Sequence, residues 1–205
     1  MFKLDRINWI IHGLLKRIGS DAIKRWVWNR EFASGKWNYL TDGRKNTDKI
    51  CQTIDKYLRN GDILELGCGF GLIPLLLSTP FHSYVGVDIS DVAFKSSEKL
   101  FRNSPPSMGS VNFIAYDVEK FIPAQKFDVI LLDEVLNYFK TPLIPIIVDR
   151  YTKFLNIGGV IIVKMHDREK YQGVIETLEK AFNIVETVDT SDKSAIRVLR
   201  AARQV

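Results

Sequence analysis

Residues 62–71 read Asp-Ile-Leu-Glu-Leu-Gly-Cys-Gly-Phe-Gly, and no other stretch narrows the possible folds as far. A short apolar run, Ile63 to Leu66, meets three glycines spaced two apart, Gly67, Gly69 and Gly71, and Leu72–Leu77 then reads as a helix. A strand, a glycine turn and a helix open an α/β unit whose backbone can approach a ligand that side chains would otherwise block. A dinucleotide turn requires Gly-x-Gly-x-x-Gly, but position 72 is Leu. Glu65 also places an anion where a pyrophosphate would be repelled.

Further along, the same alternation continues. Strands are predicted at Tyr84–Val87, Val111–Ala115, Phe127–Leu132, Val160–Lys164, Ile184–Thr187 and Ser194–Ala201. Helices are predicted up to Phe101, over Leu143–Leu155 and over Glu169–Ala181. Short, nearly continuous apolar strands between helices require a buried, mostly parallel sheet. The last two strands are joined only by Asp189-Thr190-Ser191-Asp192, which predicts an antiparallel hairpin. A chain of 205 residues, 46% apolar and 26% charged, fits one α/β domain with a terminal appendage and excludes bulk disorder. No apolar run approaches the ~20 residues that cross a bilayer, and the N-terminus has no cleavage-site pattern. Two cysteines and three histidines offer no metal-ligand spacing. A cytoplasmic protein without a metal is expected.

The first third differs in kind. Residues 1–60 carry thirteen Lys/Arg against six Asp/Glu, the remainder sixteen against eighteen, and all four tryptophans lie in the first forty residues. Helical spacing runs over 2–18, from Ser20 or Asp21 to about Arg30, and from Thr47-Asp48 to Leu58, with no strand pattern. Residues 1–46 are therefore expected to form a helical cap and 47–205 the sheet domain. Lys3, Arg6, Lys16, Arg17, Lys24 and Arg25 alternate with apolar residues, which predicts helices with an outward basic face for an anionic ligand or an anionic membrane. Trp37 and Tyr39 would either close over a cofactor or plug the helices onto the sheet.

In an open α/β sheet, ligands bind beyond the carboxyl ends of the strands, and four acids are predicted on that rim: Glu65, Asp88, Asp117 and Asp133. Asp88 closes Val-Gly-Val-Asp twenty-one residues after Gly67, with Ile89 beside it. Its two oxygens could accept both hydroxyls of a ribose, or cap a helix, as Ser90 or Asp91 could. Asp117 in Tyr-Asp-Val could accept from an adenine amino group while the Val118 N–H reads the ring edge; the alternative is again a cap. Such a rim suits a ligand with hydroxyls, an amine and a positive centre.

Glu-Leu-Gly-Cys-Gly-x-Gly, Val-Gly-Val-Asp, Tyr-Asp-Val and Phe-Asp-Val-Ile-Leu-Leu-Asp-Glu-Val resemble the ordered motifs of class I S-adenosylmethionine-dependent methyltransferases. Leu155-Asn156-Ile157-Gly158-Gly159-Val160 is similar to the turn before that family's fifth strand, and the likeness covers about residues 47–201. It implies a seven-stranded Rossmann-like sheet with a final antiparallel strand, S-adenosylmethionine as cofactor and S-adenosylhomocysteine as product. It further implies Glu65, Gly67, Cys68, Gly69 and Gly71 around the methionine part, Asp88 and Ile89 at the ribose, Asp117 and Val118 at the adenine, and Asp133, Trp37 and Tyr39 alongside.

Departures shape the expected substrate. The Asp/Asn-Pro-Pro-Tyr of amino-directed nucleic-acid enzymes is replaced by Asp133-Glu134-Val135-Leu136, and the Glu-His of many small-molecule enzymes by Asn137-Tyr138. The reading is a small-molecule or glycan acceptor methylated on a hydroxyl oxygen, with nucleic acid not expected. His166, just past the fifth strand, is the candidate base, with Asp133 and Glu134 beside it as catalytic candidates. His82 and His12 read as structural or surface residues, and Cys68 not as a nucleophile. Two rivals stay open: an RNA-binding or RNA-modifying protein, prompted by the basic first third, and a non-catalytic adenosyl-binding module.

Overall fold

The computed structural model describes residues 11–42, 48–102 and 109–200. Seven strands form one sheet in the order β3-β2-β1-β4-β5-β7-β6: β1 Asp62–Leu66, β2 Ser83–Asp88, β3 Ser110–Ala115, β4 Phe127–Asp133, β5 Leu155–Met165, β6 Asn183–Asp189 and β7 Ala195–Arg200. Strands β1 to β5 pair in parallel, and β7 pairs antiparallel with both β5 and β6. The seven-stranded Rossmann-like sheet and its closing hairpin are thus as expected. Five parallel strands end on the same rim, so Leu66, Asp88, Ala115, Asp133 and Met165 come out together.

Helices are α1 (residues 11–18), α2 Asp21–Ala33, α3 Tyr39–Asp42, α4 Asp48–Tyr57, α5 Ile73–Leu76, α6 Asp91–Phe101, α7 Ile144–Thr152 and α8 Gln172–Ala181. Two cores sandwich the sheet. On one face Leu64, Leu66, Ile130, Leu132 and Val163 pack against α7 and α8 through Ile147, Val148, Tyr151 and Leu178. On the other, Ile63, Val129, Leu131 and Ile162 pack against α4 through Ile50, Ile54 and Leu58. Strand alternation assigns each side chain to one of these cores, and it turns Glu65 inward on the face of Ile63. Among the described residues, no helix is long and apolar enough to cross a membrane.

Helix α2 runs three residues past the expected Arg30, to Ala33, and β6 extends to Asn183–Asp189; three further differences have a local cause. The helix predicted from Leu143 starts as a 3-10 turn, Thr141–Leu143, because Pro145 lies in the first turn of α7, and it ends at Thr152. Strand β5 begins at Leu155 and includes the predicted Asn156–Gly159 turn, which a register shift opposite Phe127 and Val129 absorbs. Helix α8 starts at Gln172, since Asp167 accepts the Lys170 N–H at 3.0 Å and closes a separate turn first. The expected helix before residue 11 and the expected loop at 103–107 lie outside the described residues.

Candidate active site

The glycine turn folds over the end of β2. The N–H groups of Gly67 and Cys68 both donate to Val87 O, at 2.7 and 3.1 Å. Gly67, Gly69 and Gly71 have φ of 76°, 52° and 63°, the left-handed region that glycine enters without strain. A Cβ at Gly67 would stand 2.5 Å from Val135 Cγ2, and one at Gly71 would strike the Phe113 ring. The three glycines thus leave a cradle of bare backbone that a Cβ would strain at each position and, at Gly67 and Gly71, block. Cys68 is enclosed in it, and burial pushes its thiol well above the ordinary range, so it is no nucleophile.

Of the rim acids, Glu65 is buried and receives the Tyr84 hydroxyl at 2.5 Å. Burial pushes its carboxyl up to about 8, with Asp133 and Asp88 adding to the rise and Tyr84 and Lys164 opposing it. Asp88 ties the cradle to β2, accepting the Gly69 N–H at 2.9 Å on one oxygen and the Ser90 N–H at 2.8 Å on the other. Each oxygen keeps a further lone pair, so both can still accept from a ligand. Ser90 caps α6 by accepting the Ala93 N–H at 3.2 Å, and half-buried Ile89 lies between the two. Asp133 pairs with Lys164 at 3.0 Å. Asp117 accepts the Glu119 N–H at 2.9 Å and lies 3.3 Å from Lys24 Nζ, while Val118 is buried beneath it.

That last contact overturns the expected basic face. Lys24 is buried between Asp117 and Glu119, the latter at 2.5 Å. Burial opposes its charge, but the Glu119 hydrogen bond and the two carboxylates outweigh this and hold the ammonium above the ordinary lysine range. Lys16 is buried against Glu31 at 2.7 Å, its ammonium 3.6 Å from the Trp28 ring centroid. Arg17 donates to Asn137 O at 2.8 Å, and Arg25 pairs with Asp91 at 2.6 Å. Asn29 accepts the Ser90 hydroxyl at 2.8 Å. Of the cations expected to face outward, Lys3 and Arg6 lie outside the described residues; Lys24 and Arg25 turn onto acids of the sheet domain, Arg17 onto its Asn137 carbonyl and Lys16 onto Glu31 of the cap itself, and helix α2 spans the tips of β2 and β3. For Lys24 the physical reason is the rim acid Asp117, a partner distant in sequence. His12, expected at the surface, sits 3.7 Å from Glu31, while exposed His82 lies 2.8 Å from Asp62, away from the rim.

The cap also lays aromatic side chains on the cradle. Phe32 would be 3.7 Å from a Cβ at Gly69 and meets Phe70 edge-on at 5.2 Å. Trp37 is bonded through Nε1 to Glu31 at 3.1 Å and sits in a ring cluster with Trp28, Phe32 and Tyr39. Tyr39 is mostly exposed. Trp37 is held among cap residues, and Phe32, which the sequence reading passed over, covers the glycines.

Beyond β4 the chain turns through Glu134, which holds φ 58° and donates its N–H to Lys164 O at 3.1 Å. A non-glycine residue there costs about 1–3 kcal/mol, a strain that clusters at functional sites. His166 Nδ1 lies 2.5 Å from Glu134 Oε2, and the His166 ring meets Tyr171 edge-on at 5.2 Å. Asn137 Nδ2 donates to the Tyr171 hydroxyl at 3.3 Å. Tyr138 packs edge-on against Trp28 at 4.8 Å. The structure thus joins His166 and Glu134 directly, and leaves Asp133 to Lys164. Asn137, Tyr138 and Tyr171 were not singled out as site residues, although the loops after β4 and β5 are where a rim site draws its side chains. No group of three or more metal-ligating side chains occurs among the described residues.

Residues 58–201 match the family described as methyltransferase domain. The chain is 29% identical over 147 residues to a probable thiol methyltransferase 2 of Arabidopsis thaliana, covering 71% of this chain and 64% of that protein. It is 27% identical over 157 residues to malonyl-[acyl-carrier protein] O-methyltransferase 2 of Ilyobacter polytropus, covering 74% and 58%. The chain therefore spans about three-fifths of the length of these two relatives. Among solved structures, magnesium protoporphyrin IX methyltransferase of Synechocystis with bound SAH superimposes with a TM-score of 0.69 at 16% identity, over 88% of this chain and 99% of that one. The N-methyltransferase NodS of Bradyrhizobium japonicum does so with a TM-score of 0.62 at 20% identity, over 79% and 99%. These two likenesses are of fold. The sequence match over most of its length carries more: this chain belongs to the Rossmann-like methyltransferase domain family.

Proposed function

We propose that the chain moves a methyl group from S-adenosylmethionine to a small-molecule or glycan acceptor in the cytoplasm, with residues 1–46 as cap and 47–205 as cofactor domain. The observation that carries this is the cradle: three glycines at positive φ, anchored by the Gly69 N–H on Asp88. The residues present fit that cofactor. Gly67, Cys68, Gly69 and Gly71 leave room for the methionine part, with Glu65 behind them able to balance its ammonium. Asp88 and Ile89 would hold the ribose, and Asp117 and Val118 the adenine edge, with Asp133 at the rim and the Trp37 and Tyr39 segment closing the side. When bound, the cofactor supplies an activated methyl on a sulfonium, and alignment of the methyl acceptor is the protein's main task, a contribution of up to ~7–11 kcal/mol.

The His166 and Glu134 pair is the proton-handling group of this reading. Glu134 orients the imidazole through Nδ1, which leaves Nε2 to receive a proton from the methyl acceptor, a role that adds roughly 10²–10⁴-fold. The absent Pro-Pro-Tyr motif speaks for a proton-bearing heteroatom outside nucleic acid; on sequence alone that is a hydroxyl oxygen. Calorimetric titration with S-adenosylhomocysteine and with NAD tests the proposal. Binding of the first and not the second is expected, and binding of NAD alone would end it.

A further inference from the structure

We infer that Glu134 Oε1 and Asn137 Oδ1 form a subsite for an amino group, so that the methyl acceptor is an amine and not an alcohol. The inference rests on the proposed methyl transfer and narrows its substrate.

Both oxygens are buried and have no hydrogen-bond partner. Both also belong to side chains whose other polar atom is already fixed: Glu134 Oε2 by His166 at 2.5 Å, and Asn137 Nδ2 by the Tyr171 hydroxyl at 3.3 Å. His166 and Tyr171 touch edge-on at 5.2 Å, which closes the ring Glu134, His166, Tyr171, Asn137. Asn137 lies three residues after Glu134 on the 3-10 turn Leu136–Tyr138, and Arg17 of the cap holds its carbonyl at 2.8 Å. The two oxygens thus sit in one constellation that is anchored on every other side.

A carboxylate oxygen and an amide oxygen can only accept, and leaving either without a donor after burial is destabilising. Two such oxygens require two hydrogens from whatever docks there. An alcohol brings one, whereas a primary ammonium brings three, enough for one group to serve both. The Glu134 carboxylate also favours a cation.

The chemistry closes. An ammonium nitrogen has no lone pair, so it first gives one proton to His166 Nε2, the ring nitrogen turned away from Glu134. The nitrogen lone pair then forms the new C–N bond while the C–S bond of the sulfonium breaks, its electron pair staying on sulfur. The products are a methylated ammonium, a thioether and a protonated His166 that Glu134 balances until solvent takes the proton.

A matched pair of probes tests this: benzylamine and benzyl alcohol, titrated into the full chain saturated with S-adenosylhomocysteine and followed by tryptophan fluorescence. Benzylamine is expected to bind at least about tenfold more tightly. Asn137→Leu should erase most of that preference. Asn137→Asp, which keeps the shape and adds a charge, should enlarge it, and thermal melts report whether each variant is folded. Equal affinities, a preference for the alcohol, binding of neither probe, or a preference unchanged in both variants overturns the amine assignment. If S-adenosylhomocysteine itself fails to bind, the methyltransferase reading falls, and the inference with it.

Discussion

In the sheet, burial follows hydropathy; in the cap, two lysines are buried while several large apolar side chains stand exposed. Leu64, Leu66, Ile130 and Leu132 are fully buried, as any apolar strand residue of a doubly covered sheet should be. On α1 and α2, Lys16 and Lys24 are each 8% exposed, while Ile18 is 57% and Trp26 54% exposed. The difference teaches that the two regions are assembled by different forces. Strands and core helices are placed by apolar burial, which is non-directional. The cap is tied to the sheet domain by Lys24 and Arg25 on acids and by Arg17 on a carbonyl, beside the Phe32 contact with Phe70. Part of the positive charge of the first third is thus neutralised within the protein, Lys24 and Arg25 on acids near the tips of β2 and β3 and Lys16 on Glu31 of the cap itself.

The largest expected effect strikes that docking. Lys24→Met leaves Asp117 and Glu119 without their cation, and breaking a buried pair from one side costs about 3–5 kcal/mol, here toward the lower end because Glu119 keeps some solvent. Chemical denaturation should show the loss, and Lys24→Met combined with Asp117→Asn and Glu119→Gln should recover much of it. A wild-type midpoint for the single variant would break the comparison.

Next comes Asp88→Ala, which removes the acceptor of two backbone N–H groups and the proposed ribose contact. S-adenosylhomocysteine should bind more weakly by about 1.5–3 kcal/mol. An unchanged affinity would make Asp88 a cap only.

A pH series sharpens the sheet side. The carboxyl of Glu65 stands at about 8 in the fold against an ordinary 4.5, so the folded state favours its protonated form. The stability it contributes is fully present below about pH 4.5 and is lost as pH rises through about 8. Thermal melts of the free protein should fall across that window, and Glu65→Gln should flatten the slope. A slope identical in the variant would assign the titration elsewhere.

The smallest effect is on the outer face of the cap. Trp26→Ser should change stability by no more than about 0.5 kcal/mol, as surface substitutions do. A large loss would mean that this face is buried against something after all.

Much of the sheet was legible because its signals are local. Period and glycine spacing located β1, β2 and β4 to within a residue or so, and Asp189-Thr190-Ser191-Asp192 gave the hairpin. The glycine cradle followed from the same ten residues. Lys24 was misread because nothing near it in the chain shows its partner, Asp117, ninety-three residues away. One local signal was available: Lys24, Val27 and Glu31 share a helical face at i, i+3 and i+7, and all three are buried. Glu134 and His166 were both named, but their pairing across thirty-two residues needed the parallel contact of β4 with β5. Asn137 and Tyr171 carry no motif and acquire meaning only through the atoms they leave unpaired or hold in place.

Hydrogen–deuterium exchange bears most directly on the claim that the rim's acids hold the cap. In the doubly neutralised variant Asp117→Asn with Glu119→Gln, the amides of α2, Asp21–Ala33, should exchange at least about tenfold faster than in the wild type. Those of β1 and β4 should be unchanged. Equal protection of α2 in the two proteins would contradict the account, because the helix would then be held by something other than the charges it buries.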